Sequence, residues 1–181
     1  MNLDALFALL AKARELSGHS DYVVIGSLSI LGLEDHFDVP EDMTLSNDVD
    51  CYTRDDPDRT FDLVAALGEN SPWHQGHGYF LDAVTPALPT LPEGWRARLI
   101  PVSRDSLTAW FLDPNDAAIS KYARGEPRDR RWIRAGIRSG VVSLPMVRSR
   151  LRGVTFLDNE ESQRTRRLIE EDQAWCDRSV S

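Results

Sequence analysis

The fold of this chain is constrained most strongly by the segment Asp48-Val49-Asp50-Cys51-Tyr52-Thr53. Polar and apolar residues alternate along it, which is typical of a β-strand with one solvated face. Alternate side chains of an extended strand point to the same face, so Asp48 and Asp50 project together while Val49 faces the core. The segment therefore predicts a strand that carries two neighbouring carboxylates on its solvated face.

Helical and strand patterns occupy the rest of the first 112 residues. Apolar residues recur with helical spacing from Leu3 to Leu16, and Gly18 ends that helix. Residues 70–78 contain Pro72, Gly76 and Gly78 and are predicted to be a loop. The other predicted strands are 22–25, 79–84, 98–102 and 107–112, and the other predicted helices are 28–33 and a segment from Asp55 to about Leu67.

From Asp113 onward the pattern is helical to the end of the sequence. Asp113 and Pro114 form a helix start, and Asp158 with Glu161 forms a capping box at the start of the last predicted helix. Mixed strands and helices followed by a helical tail predict an α/β (α+β) fold with a helical C-terminal subdomain. We therefore expect an α/β core at residues 1–112 and a helical C-terminal subdomain at residues 113–181.

Composition indicates an ordinary globular protein of the cytoplasm. The 181 residues are 41% hydrophobic, and no apolar run approaches the roughly 18 residues of a membrane span. The amphipathic first residues do not resemble a secretory leader. Cys51 and Cys176 lack CxxC spacing, which favours a reducing compartment over a disulfide framework. We expect a cytoplasmic protein that does not contact membranes.

Charge is unevenly distributed along the chain, whose net charge is −8. Residues 1–95 carry 4 Lys/Arg against 17 Asp/Glu, whereas residues 96–152 carry 13 against 5. The acidic balance excludes a general nucleic-acid binder, although the basic segment would favour contacts with the phosphates of an RNA substrate. Solvated helix faces explain the same charges equally well.

The paired carboxylates predict a cation site. Asp48 and Asp50 repel each other unless a cation neutralises them, and hard oxygen ligands of this kind suit Mg²⁺ or Mn²⁺ together with substrate phosphates. Gly26 and Ser27 precede them by about twenty residues, at a predicted strand–helix turn. Glycine permits close backbone approach there, and a helix starting at Ser27 would direct its first amides at an anion.

This combination resembles the nucleotidyltransferase signature of the DNA polymerase β superfamily, a Gly-Ser turn followed by D-x-D on the next strand. The chain looks similar to the bacterial AbiEii-type and other minimal nucleotidyltransferases of toxin–antitoxin and phage-defence systems. The segments 91–95 and 98–102, together with 113–121 and the pair Arg128-Asp129, add to the resemblance. It covers roughly residues 20–150 and implies a nucleotidyltransferase-type mixed sheet flanked by helices.

The resemblance also implies a role for each motif residue. Gly26 and Ser27 would contact the triphosphate of an NTP, and Asp48 and Asp50 would hold the metal. Lys121 would neutralise nucleotide phosphates, while Asp129 would lie near the nucleotide or orient Lys121. Asp82, on a later predicted strand, is the candidate third carboxylate that activates the attacking hydroxyl as a base.

The function that follows is transfer of a nucleoside monophosphate from an NTP to a hydroxyl of RNA, such as tRNA, or of a protein. A toxin or antitoxin partner belongs to the same expectation. A different class stays open, in which the chain is a non-catalytic, antitoxin-like module that binds a nucleotide or a partner. A metal-dependent nuclease is a third and weaker hypothesis, which stays open because nucleases also use paired carboxylates.

Two histidines invite a zinc interpretation that the sequence does not support. His74 and His77 flank Gln75-Gly76, but no cysteine or third ligand lies nearby, so a loop position is favoured. Strand alternation places Cys51 in the core, away from the carboxylates.

Overall fold

The computed structural model describes residues 1–179, and these form two compact units. The first, which we call the α/β unit, comprises Met1–Leu88 and Arg96–Asp113. The second, the helical unit, comprises Pro89–Trp95 and the chain from Pro114 onward. The segment Pro89–Trp95 pairs with the rest of the helical unit through a β-bridge between Pro92 and Val154.

A five-stranded mixed sheet forms the centre of the α/β unit. Its strand order is β3-β2-β1-β5-β4, in which β1 pairs antiparallel with β2 and parallel with β5, β2 pairs parallel with β3, and β4 pairs antiparallel with β5. The strands are β1 (Asp21–Val24), β2 (Asp48–Thr53), β3 (Phe80–Ala83), β4 (Ile100–Arg104) and β5 (Leu107–Phe111). The strand β3 therefore lies at one edge of the sheet, next to the strand that carries Asp48 and Asp50.

One face of this sheet is the core of the α/β unit. Helix α1 (Leu3–Ser17) begins at Asn2, whose side chain accepts a hydrogen bond from the Ala5 amide at 2.9 Å. Its apolar side packs on the core face of the sheet, where every second strand residue is buried, as alternation requires. The strand residues buried in this core are Tyr22, Val24, Val49, Cys51, Leu81, Leu107, Ala109 and Phe111.

Four helices make up most of the helical unit: α4 (Pro114–Arg124), α5 (Pro127–Ser139), α6 (Leu144–Arg150) and α7 (Asn159–Ser179). Asp172 of α7 is fully buried and connects three of them. Its carboxylate accepts hydrogen bonds from Tyr122 Oη at 3.0 Å, Arg130 Nε at 3.1 Å and Arg134 Nε at 2.8 Å. None of the helices formed by residues 1–179 combines the length and the apolar character needed to cross a lipid bilayer.

The predicted fold class, a mixed sheet flanked by helices with a helical C-terminal part, is confirmed. The prediction of a loop at 70–78 is wrong, because Pro72–His77 forms a short helix, α3. Ser71 begins it by accepting a hydrogen bond from the His74 amide at 3.2 Å, and Pro72 fits its first turn.

Two segments predicted as ordinary helices are wound more tightly. Ser27–Leu33 is a 3₁₀ helix, and the segment after Asp56 is a 3₁₀ helix over Pro57–Leu63 that continues as the short α2 (Val64–Leu67). Each 3₁₀ run is 7 residues long and follows a strand, and 3₁₀ turns are frequent in such connectors.

Candidate functional site

Three carboxylates meet on the face of the sheet opposite the core. In the parallel pairing of β2 and β3, Asp50 lies opposite Asp82, and Asp48 lies opposite Phe80. Since directly opposed residues project to the same face, all three aspartates lie together. One carboxylate oxygen from each of Asp48, Asp50 and Asp82 lies within 4.8 Å of the other two. The sequence predicted Asp48 and Asp50 as metal ligands, and the register adds Asp82 to them.

The surroundings of these groups favour the neutral form of Asp82. Partial burial, followed by the negative charges of Asp48 and Glu69, raises the pKa of the Asp82 carboxyl above its usual value. Asp48 accepts a hydrogen bond from the hydroxyl of Ser46. A carboxylate with a raised pKa is a stronger base than an isolated aspartate.

The cysteine next to Asp50 faces the core, as strand alternation predicts. Cys51 is fully buried. Burial, together with the charges of Asp50 and Asp82, raises the pKa of its thiol. The neutral thiol is a core side chain and takes no part in the carboxylate cluster.

Gly26 brings the turn after β1 directly against Asp50. The Ile25 amide donates a hydrogen bond to the Asp50 carbonyl at 2.9 Å, and Gly26 follows with φ 68° and ψ −152°. A Cβ on Gly26 would lie 2.8 Å from Cγ of Asp50 and closer still to its Oδ2. Only glycine permits this backbone conformation and this approach. Ser27 begins the 3₁₀ helix, and that helix is too short to supply the dipole expected of a full α-helix.

The donor set fits a divalent cation. Three hard carboxylate oxygens converge from two neighbouring strands, and like charges at this separation are costly unless a cation balances them. Mg²⁺ and Mn²⁺ prefer such oxygen ligands and leave positions for water or phosphate oxygens. Asp48, Asp50 and Asp82 are therefore the residues of the α/β unit that could hold a metal.

Lys121 and Asp129 form a buried pair in the helical unit. Lys121 is 4% exposed, its Nζ lies 3.2 Å from Oδ1 of Asp129, and it lies 4.9 Å from the centre of the Trp132 ring. Asp129 also accepts hydrogen bonds from Arg124 Nε at 2.8 Å and Nη2 at 2.6 Å. The sequence singled out Lys121 and Asp129, and the structure places them in direct contact.

The pair is held in its charged form. Burial alone would raise the pKa of the Asp129 carboxyl, but the hydrogen bonds of Arg124 and the charge of Lys121 hold that pKa below its usual value. A cavity of about 240 Å³ in the helical unit is lined by Lys121, Asp129 and neighbouring residues. Sequence reasoning missed Arg124, because its contact with Asp129 crosses the turn between α4 and α5.

Two aromatic rings flank the carboxylates, and sequence reasoning missed both. Phe80 shares the face of Asp82 and is the register partner of Asp48. The ring of His74 packs on it, with ring centres 4.6 Å apart and an angle of 49° between the planes. No local pattern could have found them, because their placement depends on the pairing of β3 with β2.

The comparisons with known proteins place the chain in a family. No curated protein and no solved structure matches it. A family model described as "Nucleotidyltransferase of unknown function (DUF6036)" matches residues 4–178. The match extends over both units, and the finer likeness to the AbiEii-type branch stays a prediction. The chain thus belongs to this family of nucleotidyltransferases of unknown function.

Proposed function

We propose that the chain transfers a nucleoside monophosphate from an NTP to a hydroxyl group and releases pyrophosphate, with the help of Mg²⁺ or Mn²⁺. The observation that carries this proposal is the convergence of Asp48, Asp50 and Asp82 within 4.8 Å, beside a glycine turn that contacts Asp50. Family membership supports the reaction class.

Asp48 and Asp50 are the proposed metal ligands. A divalent cation bound there would neutralise the NTP phosphates and stabilise the charge that develops during in-line displacement. The turn at Gly26 approaches Asp50 from the β1 side, and its backbone and the hydroxyl of Ser27 would contact the triphosphate. The glycine supports this role, because it keeps the turn free of a side chain next to the carboxylates.

Asp82 is the proposed base. The acceptor oxygen attacks the α-phosphorus and forms a new phosphorus–oxygen bond, while its proton passes to the Asp82 carboxylate. The bond between the α-phosphorus and the bridging oxygen breaks, and pyrophosphate leaves with that electron pair. The position of Asp82 supports this role, because it lies opposite Asp50 on the edge strand β3 and within 4.8 Å of both proposed metal ligands.

Lys121 is proposed to neutralise nucleotide phosphates, and Asp129 is proposed to orient it. The 3.2 Å contact between the two supports the orienting role, and Arg124 fixes Asp129 from the other side. The acceptor is a hydroxyl of RNA or of a protein, and a toxin–antitoxin or phage-defence setting with a cognate partner belongs to the same proposal.

Labelled NTPs test the proposal. The full-length protein is incubated with each α-³²P-labelled NTP, Mg²⁺ or Mn²⁺, total RNA and cell lysate, and label is followed in RNA and in protein. We expect transfer that Asp48→Asn and Asp50→Asn each reduce at least about a hundredfold, because each removes a charge that stabilises the transition state. Asp58→Asn, at an exposed position of the Pro57–Leu63 helix, is the matched control and should transfer normally.

Other outcomes select the alternative functions. Metal-dependent NTP binding without transfer to RNA or protein would contradict the enzyme and favour a nucleotide-binding module. Shortened RNA that disappears in Asp50→Asn would favour a nuclease.

A further inference from the structure

We propose that Phe80 and His74 form the platform on which the terminal base of an RNA acceptor stacks, and that this platform positions the attacking hydroxyl. This inference rests on the proposed transfer reaction and names its acceptor side.

The arrangement of the strands separates an NTP side from an acceptor side. Gly26 follows β1 and contacts Asp50 from the β1 side, whereas Asp82 lies on the edge strand β3, on the opposite side of Asp50. In-line displacement places the attacking oxygen opposite the leaving pyrophosphate. If the phosphates contact the Gly26 turn, the acceptor hydroxyl must approach from the β3 side, past Asp82.

Phe80 and His74 are the aromatic residues on that side. Phe80 precedes Asp82 by two residues on the same face and lies opposite Asp48, and both rings are half-buried. His74 Nδ1 accepts a hydrogen bond from the Asn70 amide at 2.9 Å, which fixes the ring and leaves the proton of the neutral ring on Nε2. Aromatic rings fixed in this way are surfaces on which unpaired bases stack.

The separation of the platform from Asp82 favours a nucleotide over an amino-acid acceptor. Two residues of extended strand place Phe80 about 7 Å from Asp82 along β3. In a nucleotide, a ribose separates the stacked base from the attacking hydroxyl, so a base on Phe80 leaves room for the hydroxyl at Asp82. A tyrosine ring is bonded directly to its hydroxyl, and serine and threonine carry no ring to stack.

Charge limits how much of the RNA is contacted. The α/β unit carries 7 Lys/Arg against 18 Asp/Glu, so it repels a long run of phosphates. Stacking of a single terminal base supplies affinity without phosphate contacts, which suits an acidic surface.

A binding experiment tests the platform directly. A short 5′-fluorescein-labelled single-stranded oligoribonucleotide and its copy with an abasic 3′-terminal nucleotide are titrated with the full-length protein in Mg²⁺, and anisotropy is recorded. We expect the wild type to bind the complete oligonucleotide about tenfold more tightly, as expected for one stacked base. Phe80→Leu should bind both oligonucleotides equally, at the weaker affinity, while keeping an apolar side chain at the position.

His77→Ala is the matched control. His77 lies on the same short helix as His74 but stacks on Trp73, with ring centres 3.8 Å apart, and Trp73 packs against the core. The control should keep the tenfold preference, and His74→Ala should lose most of it.

Failure of this inference and failure of the proposed function give different results. Equal affinity of the wild type for the two oligonucleotides, no binding of either, or an unchanged preference in Phe80→Leu would overturn the platform even if label is transferred. Label that enters protein rather than RNA would overturn it too. Absence of any transfer, with the base preference intact, would overturn the enzyme and leave Phe80 and His74 as a base-binding surface without a role in transfer.

Discussion

At Gly26 the backbone has φ 68° and ψ −152°, a conformation that is nearly restricted to glycine. A Cβ there would also collide with the Asp50 carboxylate, so Gly26→Ala must displace either the turn or the carboxylate. We expect Gly26→Ala to weaken Mn²⁺ binding at least about tenfold and to lower the free energy of unfolding by about 1–3 kcal/mol. Isothermal titration with Mn²⁺ and urea unfolding measure the two effects.

Gly18→Ala is the control that distinguishes the strain of a positive φ in alanine from the collision of a Cβ with Asp50. Gly18 also has a positive φ, 78°, but no atom lies within 4 Å of a Cβ placed on it. It should lose about 1 kcal/mol of stability and bind Mn²⁺ as the wild type does. Equal Mn²⁺ binding by wild type, Gly18→Ala and Gly26→Ala would contradict the importance of the Gly26 approach.

The charge of Asp129 makes the helical unit sensitive to acid. Because the pKa of Asp129 is lowered in the folded protein, its contribution is complete above the unfolded carboxyl pKa of about 3.9 and is lost as pH falls below that value. Asp129→Asn leaves the buried Lys121 charge without its carboxylate and should cost about 3 kcal/mol at pH 7.

Thermal melts followed by circular dichroism between pH 7 and pH 3 check this prediction. The difference in Tm between wild type and Asp129→Asn should be constant from pH 7 to about pH 5 and shrink as pH falls below about 3.9. A difference that does not change with pH would show that the Asp129 charge is not its source.

At the scale of the elements, Asp172 connects α7 to α4 and α5 through Tyr122, Arg130 and Arg134. Asp172→Ala would leave the buried Tyr122 hydroxyl and two guanidinium groups without this carboxylate. We expect a loss of about 3 kcal/mol in urea unfolding. Glu170→Gln, at an exposed position of the same helix, should stay within about 0.5 kcal/mol of the wild type. Equal stability of the two variants would contradict the role of Asp172.

Local patterns predicted the elements that carry a clear period. The alternation of Asp48–Thr53 predicted β2 and the common face of Asp48 and Asp50, and helical spacing ended by Gly18 predicted α1. The mixed character of the sheet followed from the resemblance to nucleotidyltransferases and not from the order of the elements. The short α3 was missed because its Pro and Gly residues are typical of loops, and only the Ser71 cap marks its start.

The positions that the sequence did not predict depend on contacts between distant segments of the chain. Asp82 was named as a third carboxylate by resemblance, but its closeness to Asp50 depends on how β3 pairs with β2 across about thirty intervening residues. The same pairing places Phe80 beside Asp48. The contact of Arg124 with Asp129 depends on the turn between α4 and α5, and no periodic pattern describes that turn.

At the scale of the whole molecule, the two units differ in net charge. The α/β unit has a net charge of −11, from 7 Lys/Arg and 18 Asp/Glu, while the helical unit has +3, from 14 and 11. Since an acidic unit would hold the terminal base by stacking, we expect oligoribonucleotide affinity to fall less than about tenfold between 50 and 200 mM salt. Anisotropy titrations at several salt concentrations measure this slope. A fall of about a thousandfold would indicate many phosphate contacts instead.

The core position of Cys51 has a practical consequence. The chain has two cysteines. Cys51 is fully buried on the core face of the sheet, and this burial raises the pKa of its thiol. Cys176 on α7 is partly exposed, although burial and the charges of Asp172 and Asp177 raise its thiol pKa too. A maleimide dye at mildly alkaline pH should therefore attach to a single position, Cys176. The labelled protein would keep Asp48, Asp50 and Asp82 unchanged and could be used for fluorescence measurements of conformation.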